Sequence, residues 1–272
     1  MAVDLHVHTT ASDGRDTPER VVQIARGLGL GAVAITDHDT LDGIRPAMAA
    51  GRRLGLEIVP GVELSTEHGN SEVHILGYYV NLDHPEFLAH LHKFKLARVE
   101  RAEKIVHRLR DLDIDLTMSR VLALAGEGTV GRPHIARALV QLGEVTSVAE
   151  AFDELLGTGK PAYVPRFKYS PFRAVRLITE AGGVPVLAHP GLNKDDGLIA
   201  ALVEAGLKGV EVYHPDHSDP VSRHYLALCR QYGLVATGGS DYHGQGLGNL
   251  GNLGRVMVHY QVVMDLKALA GC

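Results

Sequence analysis

The sequence predicts an α/β protein, a closed or nearly closed β/α barrel of about seven strands interrupted by a helical insert. Three observations lead there. Short apolar, β-branched runs alternate with amphipathic helical periods in the first third of the chain and again in the last third. Between them, from about His84 to Pro161, helical periods follow one another with no convincing strand. His, Asp and Glu also recur where the apolar runs end, as catalytic groups do at the mouth of a barrel. The expected division is a barrel core of residues 1–96 and 169–272, with residues 97–168 as the insert. A chain of 272 residues is long enough to bury that core.

Taken in order, Val3–His8 reads as the first strand, followed by a Ser12-Asp13-Gly14 turn. Thr17 is placed to cap a first helix with Pro18 in its first turn. A threonine oxygen accepts an orphan N–H there, and proline lacks the N–H that would go unbonded. Val21, Val22, Ala25 and Leu28 then recur at helical spacing. Ala32–Ile35 is a buried strand and Ile44–Leu54 a second helix; strands at Ile58–Leu64 and Val73–Val80 follow. His84–Leu112 reads as one long helix, with helical Met118–Ala125, His134–Leu142 and Val148–Leu156 after it. Strand and helix then alternate through helix Pro171–Ala181, strand Val184–His189, helix Leu198–Ala205, strand Gly209–Tyr213, helix Pro220–Tyr232 and strand Leu234–Thr237. The glycine-rich stretch Gly238–Gly254 reads as loop, including its tandem Gly248-Asn249-Leu250 and Gly251-Asn252-Leu253. Gly238-Gly239 is expected to let the backbone turn tightly before Asp241.

Composition narrows the function. Twenty-seven Lys and Arg against 32 Asp and Glu give a net charge of −5, without the basic surplus that tracks long nucleic acid by counterion release. A small anion or the end of a short oligonucleotide is the expected partner, not long duplex. No run of eighteen apolar residues occurs, so no membrane partner is expected. Asp4 and His6 stand where a signal peptide would be apolar, and the two cysteines make no framework, so a cytoplasmic location is expected.

The outlier is histidine, with sixteen copies against no Trp and five Phe. His6 and His8, two residues apart at the end of a strand, put both rings on one face while Leu5 and Val7 pack on the other. Asp37 and His38 follow the second strand, Glu63 ends the third, His74 lies in the fourth, and His189 ends a later one. Asp241 and His243 repeat the two-residue spacing after the last. So many nitrogen and oxygen donors, with no thiolate, suit Zn²⁺, Mn²⁺ or Fe²⁺ and exceed one tetrahedral shell. Two or three divalent ions are expected, with a carboxylate such as Glu63 bridging.

The motifs Asp-Leu-His-Val-His-Thr with Ser-Asp-Gly, Thr-Asp-His-Asp, Gly-Val-Glu, Val-His-Ile-Leu-Gly, Ala-His-Pro and Gly-Ser-Asp-Tyr-His occur in that order from residue 4 to residue 243. Together they resemble the PHP (polymerase and histidinol phosphatase) family of metal-dependent phosphoesterases, whose barrel is a distorted (β/α)7. The resemblance implies one metal on His6, His8, Glu63 and Asp241. It implies a second on Glu63, His74 and His189, and a third on Asp13, His38 and His243. Asp13 departs from the histidinol-phosphatase branch, where that position is often His; an oxygen donor there makes the third site weaker or more Mn²⁺-like.

Gly131-Arg132-Pro133-His134-Ile135-Ala136-Arg137, Gly159-Lys160-Pro161-Ala162-Tyr163-Val164 and Val210-Glu211-Val212 with His217-Ser218 resemble the branch of 3′,5′-nucleoside bisphosphate phosphatases and 5′→3′ exoribonucleases. Arg132 offers a planar fork for phosphate, with His134 as a second donor and Lys160 and His217 as further contacts. Arg137 reads as a solvated or salt-bridged helix residue. The implied reaction is metal-assisted hydrolysis of a phosphomonoester, with Arg132, His134, His217 and Asp241 as the acting residues and the insert as a lid reading the far phosphate. Three other readings stay open: a histidinol-phosphate phosphatase, a processive or proofreading nuclease, and a metal-stabilised binding module without turnover. The remaining histidines, His68, His84, His90, His92, His107, His224 and His259, read as solvated or locally bonded.

Overall fold

In a computed structural model describing residues 1–69, 71–244 and 251–272, the chain divides into two compact units. The first comprises Met1–Leu88 and Lys168–Cys272, and the second Ala89–Phe167. The expected insert, residues 97–168, lies in the second unit but for Lys168.

The first unit contains strands β1 (Ala2–Asp4), β2 (Ala32–Ile35), β3 (Glu57–His68), β4 (Ser71–Tyr78), β5 (Val184–Leu187), β6 (Gly209–Tyr213), β7 (Val235–Gly238) and β8 (Val258–His259). They form one sheet in the order β7-β6-β5-β4-β3-β2-β1-β8. Neighbours are parallel except that β4 runs antiparallel to β3 and β5, and β8 antiparallel to β1. The segments that follow β1 and β7 join these two strands into a nearly closed barrel. Leu5 N–H donates to Gly238 O, His8 N–H to Tyr242 O, and Val7 pairs with Tyr242. One apolar cluster takes alternate residues from several strands, among them Val3 and Leu5, Ala32 and Ala34, Leu76 and Tyr78, and Val184, Val186 and Ala188. This two-residue period fills a barrel and leaves the intervening positions for other work.

The helices of this unit start and stop where local chemistry dictates. In α1 (Pro18–Gly27) the Thr17 side chain accepts from Arg20 N–H and Pro18 sits in the first turn, as expected. α2 (Ile44–Leu54) ends at Gly55, whose φ of 66° is the left-handed conformation that ends helices cheaply. β8 and a following helix, Gln261–Ala270, were not legible in the sequence. A two-residue strand carries no periodicity to read.

α3 (Pro85–Arg110) is continuous across the boundary between the units. The second unit continues with α4 (Met118–Ala125), α5 (Arg132–Leu142) and α6 (Val148–Ala151), whose chain runs on as a π turn over Phe152–Leu156. It has its own core, centred on Ile105, Leu109, Leu116, Val121, Ile135, Leu139 and Leu156. The first unit resumes with α7 (Pro171–Glu180), α8 (Asp196–Glu204), α9 (Asp219–Tyr232) and α10 (Gln261–Ala270). The Gly248-Asn249-Leu250 copy of the tandem tripeptide lies outside the described residues. Among the described residues, no helix is long and apolar enough to cross a membrane.

Candidate metal centre

All nine residues expected to bind metal lie in the first unit, and their side chains converge. His6 Nε2 and His8 Nε2 are 3.1 Å apart, and Asp241 Oδ1 lies 3.3 and 3.1 Å from them. Glu63 Oε2 is 3.4 and 3.3 Å from the same two nitrogens. Donors bonded to one ion at about 2.0–2.2 Å are separated by roughly 3 Å, so these spacings suit coordination. Glu63 is the hub. Its Oε1 meets His74 Nδ1 at 2.7 Å and His189 Nε2 at 3.1 Å, and its Oε2 meets His38 Nδ1 at 2.9 Å. Asp13 gathers the rest, with His243 Nε2 at 3.4 Å and His8 Nδ1 and His38 Nε2 each at 3.9 Å.

Among the described residues, three sets of donors could hold a metal ion: His6, His8 and Asp241; His38, Glu63 and His74; and His8, Asp13, His38 and His243. They overlap the three expected sets without reproducing them: His8 and His38 each serve two, Glu63 stands in one, and His189 in none. His8 Nδ1 and His189 Nδ1 are buried with no hydrogen-bond partner among the described residues, a state that is costly unless something else takes the lone pair. The donor chemistry and these orphaned nitrogens fit divalent ions of the Zn²⁺, Mn²⁺ or Fe²⁺ kind.

The backbone puts these groups together in a way the strand pattern only partly foretold. β1 stops at Asp4, and His6 and His8 ride an extended continuation held by the Val7–Tyr242 bridge. Glu63 stands in the middle of β3, not at its end, because β3 and β4 form a long antiparallel pair reaching to His68 and Ser71. An isolated bridge pairs it with His38. His189 and Asp241 adopt φ of 29° and 49°, conformations uncommon for side-chain-bearing residues and concentrated where function over-determines the backbone. Gly238 and Gly239 provide close approach, not a tight turn. Neither has positive φ, and a Cβ on Gly239 would stand 2.3 Å from His6 N.

The electrostatics follow from crowding buried acids and bases together. Burial alone would raise the pKa of Glu63, yet His38, His74 and His6 outweigh it and hold the carboxyl well below its usual range. Asp13 and Asp241 are likewise depressed against burial, by His38 and His243 and by His6 and His243 respectively. Burial alone would lower His8, but its hydrogen bonds to the Asp241 and Glu63 carboxylates raise it to about 10. His6 and His189 are also raised against burial, His6 chiefly by Glu211 and His189 chiefly by Glu63.

Several residues outside the nine expected ligands support this centre. Asp37, 1% exposed, accepts from Thr9 N–H at 2.7 Å, Thr9 Oγ1 at 2.8 Å and Ser12 Oγ at 2.6 Å, anchoring the loop that carries Asp13. Asp4 accepts from Ser240 N–H at 2.9 Å and Ser240 Oγ at 2.6 Å, fixing the residue before Asp241, while burial pushes its pKa up to about 6. His214 Nε2 lies 3.3 Å from Asp241 Oδ2, and its Nδ1 accepts from Asp216 N–H. It stands one residue past β6, a strand-end position like that of His189 past β5, so the signal for it is in the sequence.

The residues expected to contact phosphate are placed differently. His217 lies in the first unit, but its Nε2 accepts from Gly191 N–H at 3.1 Å and its Nδ1 donates to Val212 O at 2.9 Å. Both ring nitrogens are thus committed to backbone, and burial lowers its pKa, so this arrangement leaves no N–H for phosphate. Arg132, His134 and Lys160 lie in the second unit. His134 is buried and its Nδ1 accepts from Gly131 N–H at 3.0 Å, closing the start of α5. Arg132 donates to Leu156 O at 3.4 Å and lies over the Phe152 ring. Lys160 is exposed. Of the remaining histidines, His224 pairs with Asp196 at 2.7 Å, and His259 Nδ1 accepts from Gln261 N–H.

Comparison with known proteins agrees with this geometry. The 5′-3′ exoribonuclease Rnm of Escherichia coli K12 is 39% identical, over 88% of this chain and 84% of that protein. A phosphoribosyl 1,2-cyclic phosphate 1,2-diphosphodiesterase of Eggerthella lenta is 36% identical, over 90% and 95%. A 3′,5′-nucleoside bisphosphate phosphatase of Chromobacterium violaceum is 34% identical, over 90% and 88%. A crystal structure of a metal-dependent phosphoesterase from Bifidobacterium adolescentis superposes with a TM-score of 0.92 at 32% identity, covering 98% of this chain and 96% of that one. The PHP domain pattern matches residues 4–159. By sequence, by fold and by its clustered donors, the chain belongs to the PHP domain family and is a metal-dependent phosphoesterase.

Proposed function

We propose that this protein hydrolyses nucleotide phosphomonoesters, with 3′,5′-nucleoside bisphosphates and the 5′ ends of short RNA as its substrates, in the cytoplasm and with two or three Mn²⁺ ions. The observation that carries the reading is the set of overlapping donor clusters sharing His8 and His38. A structural site needs one closed shell, whereas these donors suit several adjacent ions. The nine residues His6, His8, Asp13, His38, Glu63, His74, His189, Asp241 and His243 would hold them. Bound there, the ions supply an activated water and take up charge on the phosphate oxygens.

The protein's own groups do the rest. Glu63, Asp13 and Asp241 stay ionised at neutral pH and balance cationic partners. Asp241 is held from three sides, by His6, His8 and His214, so its orientation is fixed before substrate arrives. A covalent cysteine intermediate is unsupported. Cys229 is 2% exposed and burial pushes its thiol up to about 11, leaving it protonated. Arg132 and Lys160 are proposed to bind the phosphate that is not cleaved.

The test is phosphate release in Mn²⁺ from adenosine 3′,5′-bisphosphate, beside AMP, histidinol phosphate, a cyclic phosphodiester and a short 5′-phosphorylated RNA. Preference for the bisphosphate, or stepwise trimming of the RNA, is the expected result. Preference for histidinol phosphate or the cyclic ester would overturn the substrate assignment and leave the phosphoesterase standing. In Arg132→Ala, KM for the bisphosphate should rise about 10- to 100-fold, the worth of a charged hydrogen bond, while AMP turnover changes little. Equal losses on both substrates would remove Arg132 from phosphate recognition.

Metal loading at neutral pH should release protons. A ligand imidazole must be neutral, and His8, with its pKa raised to about 10, begins protonated. The apparent affinity for Mn²⁺ should therefore climb with pH from neutrality toward about 10, where His8 loses its proton unaided. Calorimetry in buffers of different protonation enthalpy counts the protons, and a count near zero would rule out these imidazoles as ligands.

A further inference from the structure

We infer that Glu211 is a positioning residue of the metal centre, fixing the ring of His6 and the backbone of His189 at once. The inference rests on the proposed ligand set. Glu211 lies in β6 and is 0% exposed. Its Oε1 is 2.9 Å from His6 Nδ1, and its Oε2 accepts from His189 N–H at 2.9 Å. A fully buried carboxylate is costly unless each oxygen is bonded. Here the two oxygens go to two residues that are 183 positions apart in the sequence but adjacent in the centre.

The consequence for His6 is a choice of tautomer. In the neutral ring that a metal requires, Nδ1–H donating to Glu211 leaves the lone pair on Nε2, the atom 3.1 Å from His8 Nε2 and 3.3 Å from Asp241 Oδ1. The consequence for His189 is a backbone anchor. Its φ of 29° is unfavourable for a residue with a Cβ, and the Glu211 bond to its N–H helps hold that conformation while its ring reaches Glu63. A carboxylate behind a ligand imidazole both orients the ring and raises its basicity.

Glu211→Gln separates this role from simple packing. Gln has nearly the same volume but one acceptor in place of two, and its NH₂ would face an N–H donor. Mn²⁺ affinity, measured by chelator competition on protein whose fold is checked by circular dichroism, should weaken about 10- to 100-fold. The second measurement is imidazole ¹⁵N NMR on Zn²⁺-loaded wild-type protein, in which the His6 proton should sit on Nδ1. It decides the matter even if the variant does not fold. Unchanged metal affinity in a folded variant, or a His6 proton found on Nε2, would overturn the inference while leaving the metal centre intact. Wild-type protein that binds no Mn²⁺ or Zn²⁺ would overturn the metal reading and this inference with it.

Discussion

Replacing Glu63 by Gln should lower turnover at saturating Mn²⁺ by at least about 10³-fold, the scale lost when a main electrostatic group leaves an active site. Five imidazoles, those of His6, His8, His38, His74 and His189, lie within 3.4 Å of this one carboxylate, which is 1% exposed. Gln keeps the volume but removes the charge, and its NH₂ meets ring nitrogens that had faced an acceptor. The metal-free protein should suffer as well, because removing one partner of a buried charge pair costs about 3–5 kcal/mol.

The pH dependence follows from the signs. Glu63 is depressed, so its contribution is present above the unfolded value near 4.5 and is lost as pH falls through its lower folded value. His8 is raised, so its contribution is complete below about 6.5 and is lost as pH rises through about 10. The melting-temperature gap between metal-free wild type and Glu63→Gln should therefore be widest near pH 5 to 6 and narrow toward pH 10. A gap that widens toward pH 10, or a variant retaining a tenth of wild-type turnover, would deny Glu63 its place at the hub.

What the sequence disclosed about this centre depended on spacing. The pairs His6 with His8 and Asp241 with His243 repeat a strand's two-residue period, so their convergence on one face could be argued without coordinates. Glu211 could not be found that way. In Val-Glu-Val it reads as any polar position of a half-exposed strand, and only the fold, in which Val210, Glu211 and Val212 are all fully buried, shows that neither face of β6 is open. The supporting roles of Asp4 and of Asp37, which the sequence shows only as a strand-end carboxylate, are hidden for a similar reason, since their partners Ser240 and Thr9 are set by barrel closure and by loop geometry. The sequence marks no sharp start for the insert, because α3 runs unbroken from Pro85 to Arg110 with no glycine or further proline inside it. His217 illustrates the converse. Its motif was legible, but the bonds from Gly191 and to Val212 that occupy its ring depend on the fold.

Gly239→Ala is expected to cost at least about 3 kcal/mol, the upper end of what overpacking a rigid site does. An added Cβ would stand 2.3 Å from His6 N, 2.5 Å from His6 Cβ and 2.8 Å from His6 Cα, too close to be relieved by turning a side chain. The β1 continuation would have to move away from the segment after β7. That seam is held by Leu5 N–H to Gly238 O at 3.3 Å, His8 N–H to Tyr242 O at 2.8 Å and Tyr242 N–H to His6 O at 3.4 Å. Its two sides carry His6 and His8 on one strand and Asp241 and His243 on the other, so the donors of one metal set are split between them. Melting temperature and Mn²⁺ affinity should therefore fall together, the former by roughly 6–12 °C. Gly27→Ala is the control. Nothing stands within 4 Å of its Cβ position in the last turn of α1, and alanine there should be neutral or stabilise by up to about 1 kcal/mol. If Gly239→Ala melts like the control but loses metal, the seam yields locally and the centre alone depends on it. If it melts like the control and keeps its metal, the close approach of the two strands is not what aligns the donors.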